Sequence, residues 1–560
     1  MNHKSTIIHI IITAFLALWT FLFWKFCHPY AMAYQEQYQM FLFDWGYFVQ
    51  SAAVPGGLAA YVAEFLTQFY ISPTLGAIVI AALYASIQLL MMRLMKGLPY
   101  REVLSLLPVL MLWWLMGDES VMPAYVVSLV MVLGAMTLVP SGWMGRMIYA
   151  LVGFPVLHWI CGPLALMSLI YACVLVYMES RRWIAGCVVT VIGVIYAMVH
   201  VLVVSQYVPY PLPRLYAGVF YYRMVDVYPY MLGGVGAVAL VLAVAGVAYT
   251  VFSNTGTGNR KTEHKRWMAS GGFAFAFVAV AAMFVIPTGY DERKYDLMEY
   301  DWLVRMQRWD DIVAKSEAKQ PDLPMSVCAT NLALAMKGEL GDRCFQFYQH
   351  GTEGLLPEFE RNFSTTLLTG DAYFYLGLVN TSQRYAFEAM EAIPNFNKSV
   401  RAIRRLAETN LINGEYSVAE KYLTMLSKTM YYRQWAKKRI EMIRNPKLID
   451  SDRVYGYLRR VRLADDFLFS DKELDRICGQ LVMHNKDNMV AIQYLLMFPL
   501  LNRDLPTFMN YYGYVQSIVK YSPAVCQEAV ALVYAQRGQL PPQQVERYRG
   551  SATWRYLQGR

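Results

Sequence analysis

Hydrophobic positions along the chain follow two regimes. As far as about residue 290 they form long unbroken runs, and from about Tyr295 onward they recur at every third or fourth position. A helix of roughly 20 apolar residues crosses a ~30 Å hydrocarbon core. Ile7–Phe26, Thr74–Met92, Val121–Val139, Trp183–Val204, Tyr230–Phe252 and Trp267–Ile286 meet that length. Val103–Met116 is short at 14 residues but stands between the polar turns Arg101-Glu102 and Gly117-Asp118-Glu119-Ser120. Met147–Cys161 and Leu164–Tyr177, divided by Gly162-Pro163, read as two thin spans or as a re-entrant pair. Either choice returns the chain to the side it left. The pattern predicts nine spans, or seven with a re-entrant hairpin.

The second regime predicts helices in consecutive pairs. Leu297, Trp302, Met306, Trp309, Ile312 and Val313 keep helical spacing, and Pro321, Gly338-Glu339-Leu340-Gly341, Asn413-Gly414, Asn445-Pro446 and Gly538 interrupt the pattern. No alternating strand pattern of useful length occurs. The clearest unit runs from Leu406 through Gly414 and Tyr416 to Leu423, with small Ala419 admitting a close helix contact. It resembles a tetratricopeptide repeat, and Ala531–Gly538 resembles a second first-helix-plus-turn. That resemblance implies a concave surface for a protein or peptide partner.

Charge divides the chain at the same place. Residues 1–290 hold 14 basic and 9 acidic side chains, and residues 291–560 hold 36 and 32. The first half is too poor in charge for a water-soluble domain. The net charge of +9 carries no long basic run, so it does not point to nucleic acid. With the N-terminus in the cytoplasm and sides alternating, Lys4, Arg93, Lys96, Arg101, Arg146, Arg181, Arg182, Arg260, Lys261, Lys265 and Arg266 face inward. Only Lys25, Arg214 and Arg223 then face outward. The expected architecture is all-α: a polytopic inner-membrane helix bundle over 1–290 and a periplasmic, tetratricopeptide-like helical-repeat domain over 291–560. Ile7–Phe26 reads as an uncleaved signal anchor, since its apolar stretch is too long for a signal peptide and no cleavage site follows. The eight cysteines include no CxxC pair and are expected as free, buried thiols.

Signatures of soluble enzymes are missing: there is no HExxH, no GxSxG and no Walker A motif, Gly256–Thr262 having the wrong spacing. Gly233-Gly234-Val235-Gly236 lies within a span and reads as helix packing. His158 and His200 read as separate helix-facing histidines with no second metal ligand. No cofactor or resident metal is expected, with a divalent ion left open. Two outer segments retain candidate chemistry. The first, residues 28–73, is expected as two short surface helices hinged at Pro55-Gly56-Gly57. Its acids Glu36 and Asp44 sit amid aromatics, and either desolvation or simple interfacial solvation accounts for them. Glu64 is expected on the solvent face of the later helix. The second segment, Ser205–Tyr230, has seven tyrosines and four prolines. It reads either as an interfacial aromatic belt or as a phosphate clamp formed by Arg214 and Arg223.

Together these pieces resemble polytopic glycosyltransferases that use lipid-linked sugars, which share the cytoplasmic N-terminus, the large first outer loop with a carboxylate, and an outer soluble domain. The resemblance implies Glu36 or Asp44 as general base toward an acceptor hydroxyl. Gln35 and Gln37 would hydrogen-bond the sugar, and Arg214 or Arg223 would meet the phosphate of a polyprenyl-linked donor. Those families commonly carry an acidic pair, whereas here two single acids stand eight residues apart. The stretch from His28 to Pro73, with its Glu36-Gln37-x-Gln39-x-Phe41-Leu42-Phe43 core, also resembles an uncharacterised family of polytopic Bacteroidota membrane proteins. That resemblance implies a periplasmic C-terminal domain and no established activity. Two other functions compete with the transferase: a non-enzymatic envelope-assembly scaffold, and, third, a transporter. The lack of acids within spans three to nine weighs against the transporter.

Overall fold

A computed structural model describes residues 3–180, 183–223, 229–252, 272–358, 363–393, 398–463 and 473–559. Arg181, Arg182, Asp226, Arg260, Lys261, Lys265, Arg266 and the start of the run Trp267–Ile286 lie outside the described residues. The chain divides into two compact units, the first reaching Tyr295 and the second beginning at Asp296. Among the described residues the secondary structure is helical, and the sole strand-like feature is an isolated antiparallel bridge between Val121 and Tyr222.

The principal helices of the first unit are α1 (His3–Leu22), α2 (Pro29–Glu36), α3 (Trp45–Ala52), α4 (Gly57–Thr67), α5 (Pro73–Leu94), α6 (Leu107–Leu115), α7 (Pro123–Thr137), α8 (Phe154–Cys161), α9 (Ala165–Ser180), α10 (Trp183–Val204) and α11 (Pro229–Phe252). Among the described residues, six helical stretches are long and apolar enough to cross a membrane: His9–Cys27, Pro73–Leu94, Trp143–Met178, Cys187–Val204, Met231–Val251 and Gly272–Gly289. The other expected spans are shorter. Val103–Met116 breaks at Ser105-Leu106, leaving the nine-residue α6, and Val121–Val139 contributes the 15-residue α7.

Trp143–Met178 is a hairpin. Its limbs pack on each other, Gly162 takes φ +77° at the turn, and the Arg146 guanidinium donates to the Leu175 carbonyl at 2.7 Å. Glycine is required there, because the backbone is left-handed and a Cβ would fall 3.2 Å from the Tyr221 hydroxyl, beside the Gly56 backbone.

Residues 28–73 depart from the expected pair of surface helices. They form three helices, and every residue from Ala31 to Leu42 is buried. The helix α4 packs against α7 and α8 instead of lying on the surface, because Ala59, Ala60 and Ala63 give it a flat face for close approach. Only α3 buries none of its residues; Trp45 and Val49 on it are exposed.

The first unit also sorts its connections by end. At one end, Gly56 N–H donates to Trp159 O at 2.9 Å and Met122 N–H to Tyr221 O at 2.9 Å. At that same end Tyr295 donates to Gly117 O at 3.1 Å, and Lys294 pairs with Glu119 at 3.0 Å. At the other end Arg101 meets His9 at 2.8 Å, and Gly97 lies against Thr250.

The second unit is built from α12 (Glu292–Arg305, counted here from Asp296), α13 (Trp309–Ala318), α14 (Pro324–Lys337), α15 (Phe363–Leu376), α16 (Val379–Glu391), α17 (Val400–Asn413), α18 (Tyr416–Ser427), α19 (Arg433–Arg444), α20 (Tyr455–Val461), α21 (Leu474–His484) and α22 (Met489–Leu501), followed by further helices to Leu557. From α15 to α19 each helix packs on the next, forming a ladder. Gly414 closes α17 at φ +87°, its N–H bonding Asn410 O, and Ala419 is fully buried in the following helix. The helix α22 is apolar on every side, and Val490–Leu501 are all buried, as an all-round hydrophobic helix requires. Cys328, Cys344, Cys478 and Cys526 are buried and unbridged, whereas Cys27 and Cys187 are exposed.

Candidate functional site

The sequence candidates fall into three groups. In the first, Pro29 opens α2 and the chain then buries Gln35, Glu36 and Gln37. Gln35 donates its amide to Val121 O at 3.3 Å. The segment after Val219 pairs with that same turn, Arg223 N–H donating to Ser120 O at 2.7 Å. The Arg223 guanidinium therefore lies over the rings of Tyr38 (4.5 Å) and Tyr34 (5.8 Å), which flank Glu36 in the sequence. Burial disfavours its charge, but the two tyrosines and Glu119 outweigh that and hold its pKa above the ordinary value. The fold thus brings Arg223 to the Gln35–Gln37 segment, although it stands 186 positions beyond Gln37 in the chain. Glu36 is 3% exposed.

Asp44 belongs to a second group. It caps α3, its Oδ1 accepting from Tyr47 N–H at 3.3 Å. Tyr47 in turn donates to Glu64 through its hydroxyl, which also lies 3.3 Å from Met40 O. Glu64 is buried, not on a solvent face, and burial pushes its carboxyl up to about 7 against the opposing hydrogen bond from Tyr47. Arg214 forms the third group, its guanidinium 5.9 Å from the Tyr222 ring. A narrow crevice, too tight to admit water, lies among Pro55, Gly162 and Tyr221, and none of the predicted site residues lines it.

His158 and His200 are not separate. Their rings meet edge to face, with His158 Nδ1 and His200 Nε2 3.3 Å apart. Among the described residues no three His, Cys, Asp or Glu side chains gather as a metal site.

The second unit holds an arginine cluster that the pattern of apolar positions does not single out. Arg401, Arg404, Arg405 and Glu408 stand at three- and four-residue spacing on α17, so they share one face. Arg401 bonds Asp301 at 2.6 Å and Asp371 at 2.5 Å, while Arg405 bonds Asp371 at 2.6 Å and forms an ion pair without a hydrogen bond to Glu408 at 2.9 Å. Arg404 reaches Glu408 at 3.2 Å. Burial alone would raise the Asp371 carboxyl, but the Arg401 and Arg405 guanidiniums hold it below the ordinary carboxylate range. This network borders an open cavity of about 220 Å³. The sequence carries only charges at helical spacing on an amphipathic helix, and the structure shows that this face is buried.

A protein-family model described as "Family of unknown function (DUF6057)" matches residues 4–555, and the chain belongs to that family. No curated protein and no solved structure matches it.

Proposed function

We propose that this member of a family without an assigned activity is a membrane-anchored binding scaffold, its helical unit displayed on the outer, periplasmic face of the inner membrane to dock a protein or peptide. The carrying observation is the ladder α15–α19, an array of stacked helix pairs of the kind that presents an extended surface to a partner. The end-sorting of the first unit supports the orientation: the turns at Gly117–Met122 and Tyr221–Arg223, expected outside, gather at one end, and the segment Arg93–Arg101, expected inside, meets His9 and Thr250 at the other. The burial of Glu36 and the cap that Asp44 gives α3 are what supports a scaffold over an enzyme.

A second reading, transfer of a sugar from a polyprenyl-phosphate donor, is favoured by one observation: Arg223 lies against the tyrosines that flank Glu36. One strain comparison separates the two. The double variant Glu36→Gln/Asp44→Asn, present in the membrane at normal level, restores the phenotype of a deletion strain if the protein is a scaffold. Failure to restore it would overturn the scaffold reading. A periplasm-active reporter fused after Arg560 is expected to be active, and a working cytoplasmic reporter there would overturn the orientation.

A further inference from the structure

We infer that the cavity bordered by α12, α15, α17, α19 and α20 of the second unit is a binding site for a small, singly charged carboxylate. The site is the same whichever side of the membrane the unit faces.

Charge comes first. Five guanidiniums line the cavity, those of Arg305, Arg401, Arg404, Arg405 and Arg439. They face Asp371, Glu408 and Asp452, and Asp301 behind Arg401 makes a fourth carboxylate. One positive charge is left over. Asp452 is held in place beside the start of α20, accepting from Val454 N–H at 2.9 Å and Tyr455 N–H at 3.0 Å. A protein interior tolerates a surplus charge poorly unless a partner neutralises it.

Geometry identifies where that partner sits. Arg401 is hydrogen-bonded to Asp371 and Asp301, and Arg405 to Asp371, its Nη1 meeting Glu408 at 2.9 Å only as an ion pair. Arg439 is different: its described partners are the Tyr455 hydroxyl at 3.4 Å from Nε and the rings of Trp435 (4.5 Å) and Tyr455 (5.7 Å). Its two terminal nitrogens have no hydrogen-bond partner among the described residues. The Arg439 guanidinium lies over the Trp435 ring, which Arg404 also approaches at 4.8 Å, and the Tyr455 hydroxyl tethers its Nε, so the fork is held in place. A fixed guanidinium plane with two donors matches the two coplanar oxygens of a carboxylate.

Size and charge then set the ligand class. About 220 Å³ is less than the roughly 300–1,000 Å³ of pockets for drug-sized molecules, so the ligand or inserted group is small. A dianion such as phosphate would exceed the surplus and set a second negative charge near Asp371 and Glu408. Phe374, Tyr375 and Tyr432 add aromatic walls that suit an apolar body behind the carboxylate.

The test uses the full chain in detergent at pH 8 and fixed ionic strength, with benzoate as probe, and benzamide and inorganic phosphate as controls. Isothermal calorimetry and the thermal unfolding midpoint are read together. Benzoate is expected to bind saturably and raise the midpoint, while benzamide and phosphate do not. Arg439→Gln is expected to weaken benzoate roughly tenfold or more, with Arg439→Lys in between. Val454→Trp, which fills the cavity and leaves every guanidinium in place, is expected to abolish binding, so the result does not depend on how well the arginine variant folds. Equal responses of the wild type and Arg439→Gln, equal responses to benzoate and benzamide, or a preference for phosphate would each overturn the inference.

Discussion

The Tyr47 hydroxyl donates to the Glu64 carboxylate inside the first unit, joining α3 to α4 across the Pro55-Gly56-Gly57 hinge. Burial lifts the Glu64 carboxyl from 4.5 to about 7, so the folded protein binds this proton more tightly than the unfolded chain. The stabilisation is complete below about pH 4.5 and is lost as pH rises through 7. It amounts to about 3 kcal/mol at most. Denaturation measured from pH 4 to 8 should show this loss in the wild type and not in Glu64→Gln. Parallel pH profiles for the two proteins would count against the buried acid.

Removing the shared carboxylate of the arginine network should be costly. Asp371→Asn leaves Arg401 and Arg405 facing a neutral amide in a buried site, an effect of about 3–5 kcal/mol. Because the Asp371 carboxyl is held below its ordinary 3.8, its contribution is present above that value and fades as pH falls through the lowered one. Chemical denaturation at pH 7 and pH 3 checks both statements: the gap between wild type and variant should be wide at pH 7 and narrower at pH 3.

Arg223 joins two distant loops, and its replacement tests whether that junction is charge or shape. Arg223→Lys keeps the charge but loses the flat face over Tyr34 and Tyr38. Both Arg223→Lys and Arg223→Ala should make a protease site engineered after Ser205 more accessible. Protection unchanged in both would mean that Ser120 and Met122, through backbone bonds, hold the segment alone.

Gly56 at φ +79° faces the backbone of Gly162, where a Cβ would fall 3.4 Å from the Gly162 Cα. Gly56→Val adds a left-handed β-branched residue to a crowded junction and should cost well over the ~1 kcal/mol of the strain itself. Gly414→Ala, at φ +87° with open space around it, should cost only about 1 kcal/mol. Thermal midpoints of the two variants give the comparison.

The membrane half was legible in the sequence because a long apolar run suits little besides a bilayer. The runs at Thr74–Met92 and Tyr230–Phe252 appear as helices within a residue or two. The shorter runs were less legible for a physical reason: 14 apolar residues suit a buried helix in a protein core as well as a thin span, and the nine-residue α6, packed against α11, fits either. Glu64 misled because amphipathic spacing identifies a polar face without revealing what covers it, and here Tyr47 does. The arginine cavity went unseen because Arg401, Arg404 and Arg405 look like an ordinary solvated stripe until Asp301 and Asp371 arrive from 100 and 30 residues away. The His158–His200 contact was hidden in the same way, by a separation of 42 residues.

The four thiols of the second unit have a kinetic consequence. Cys328, Cys344, Cys478 and Cys526 are enclosed, and burial pushes Cys328 up to about 12 and the other three higher still. Since the thiolate is the species that attacks, these sulfurs are shielded twice, by enclosure and by protonation. An oxidant or alkylating reagent reaches them only when the surrounding helices come apart. Their rate of labelling is therefore a clock for the opening of the unit, and a chain exported into an oxidising space would keep its sulfurs reduced for as long as it stayed closed.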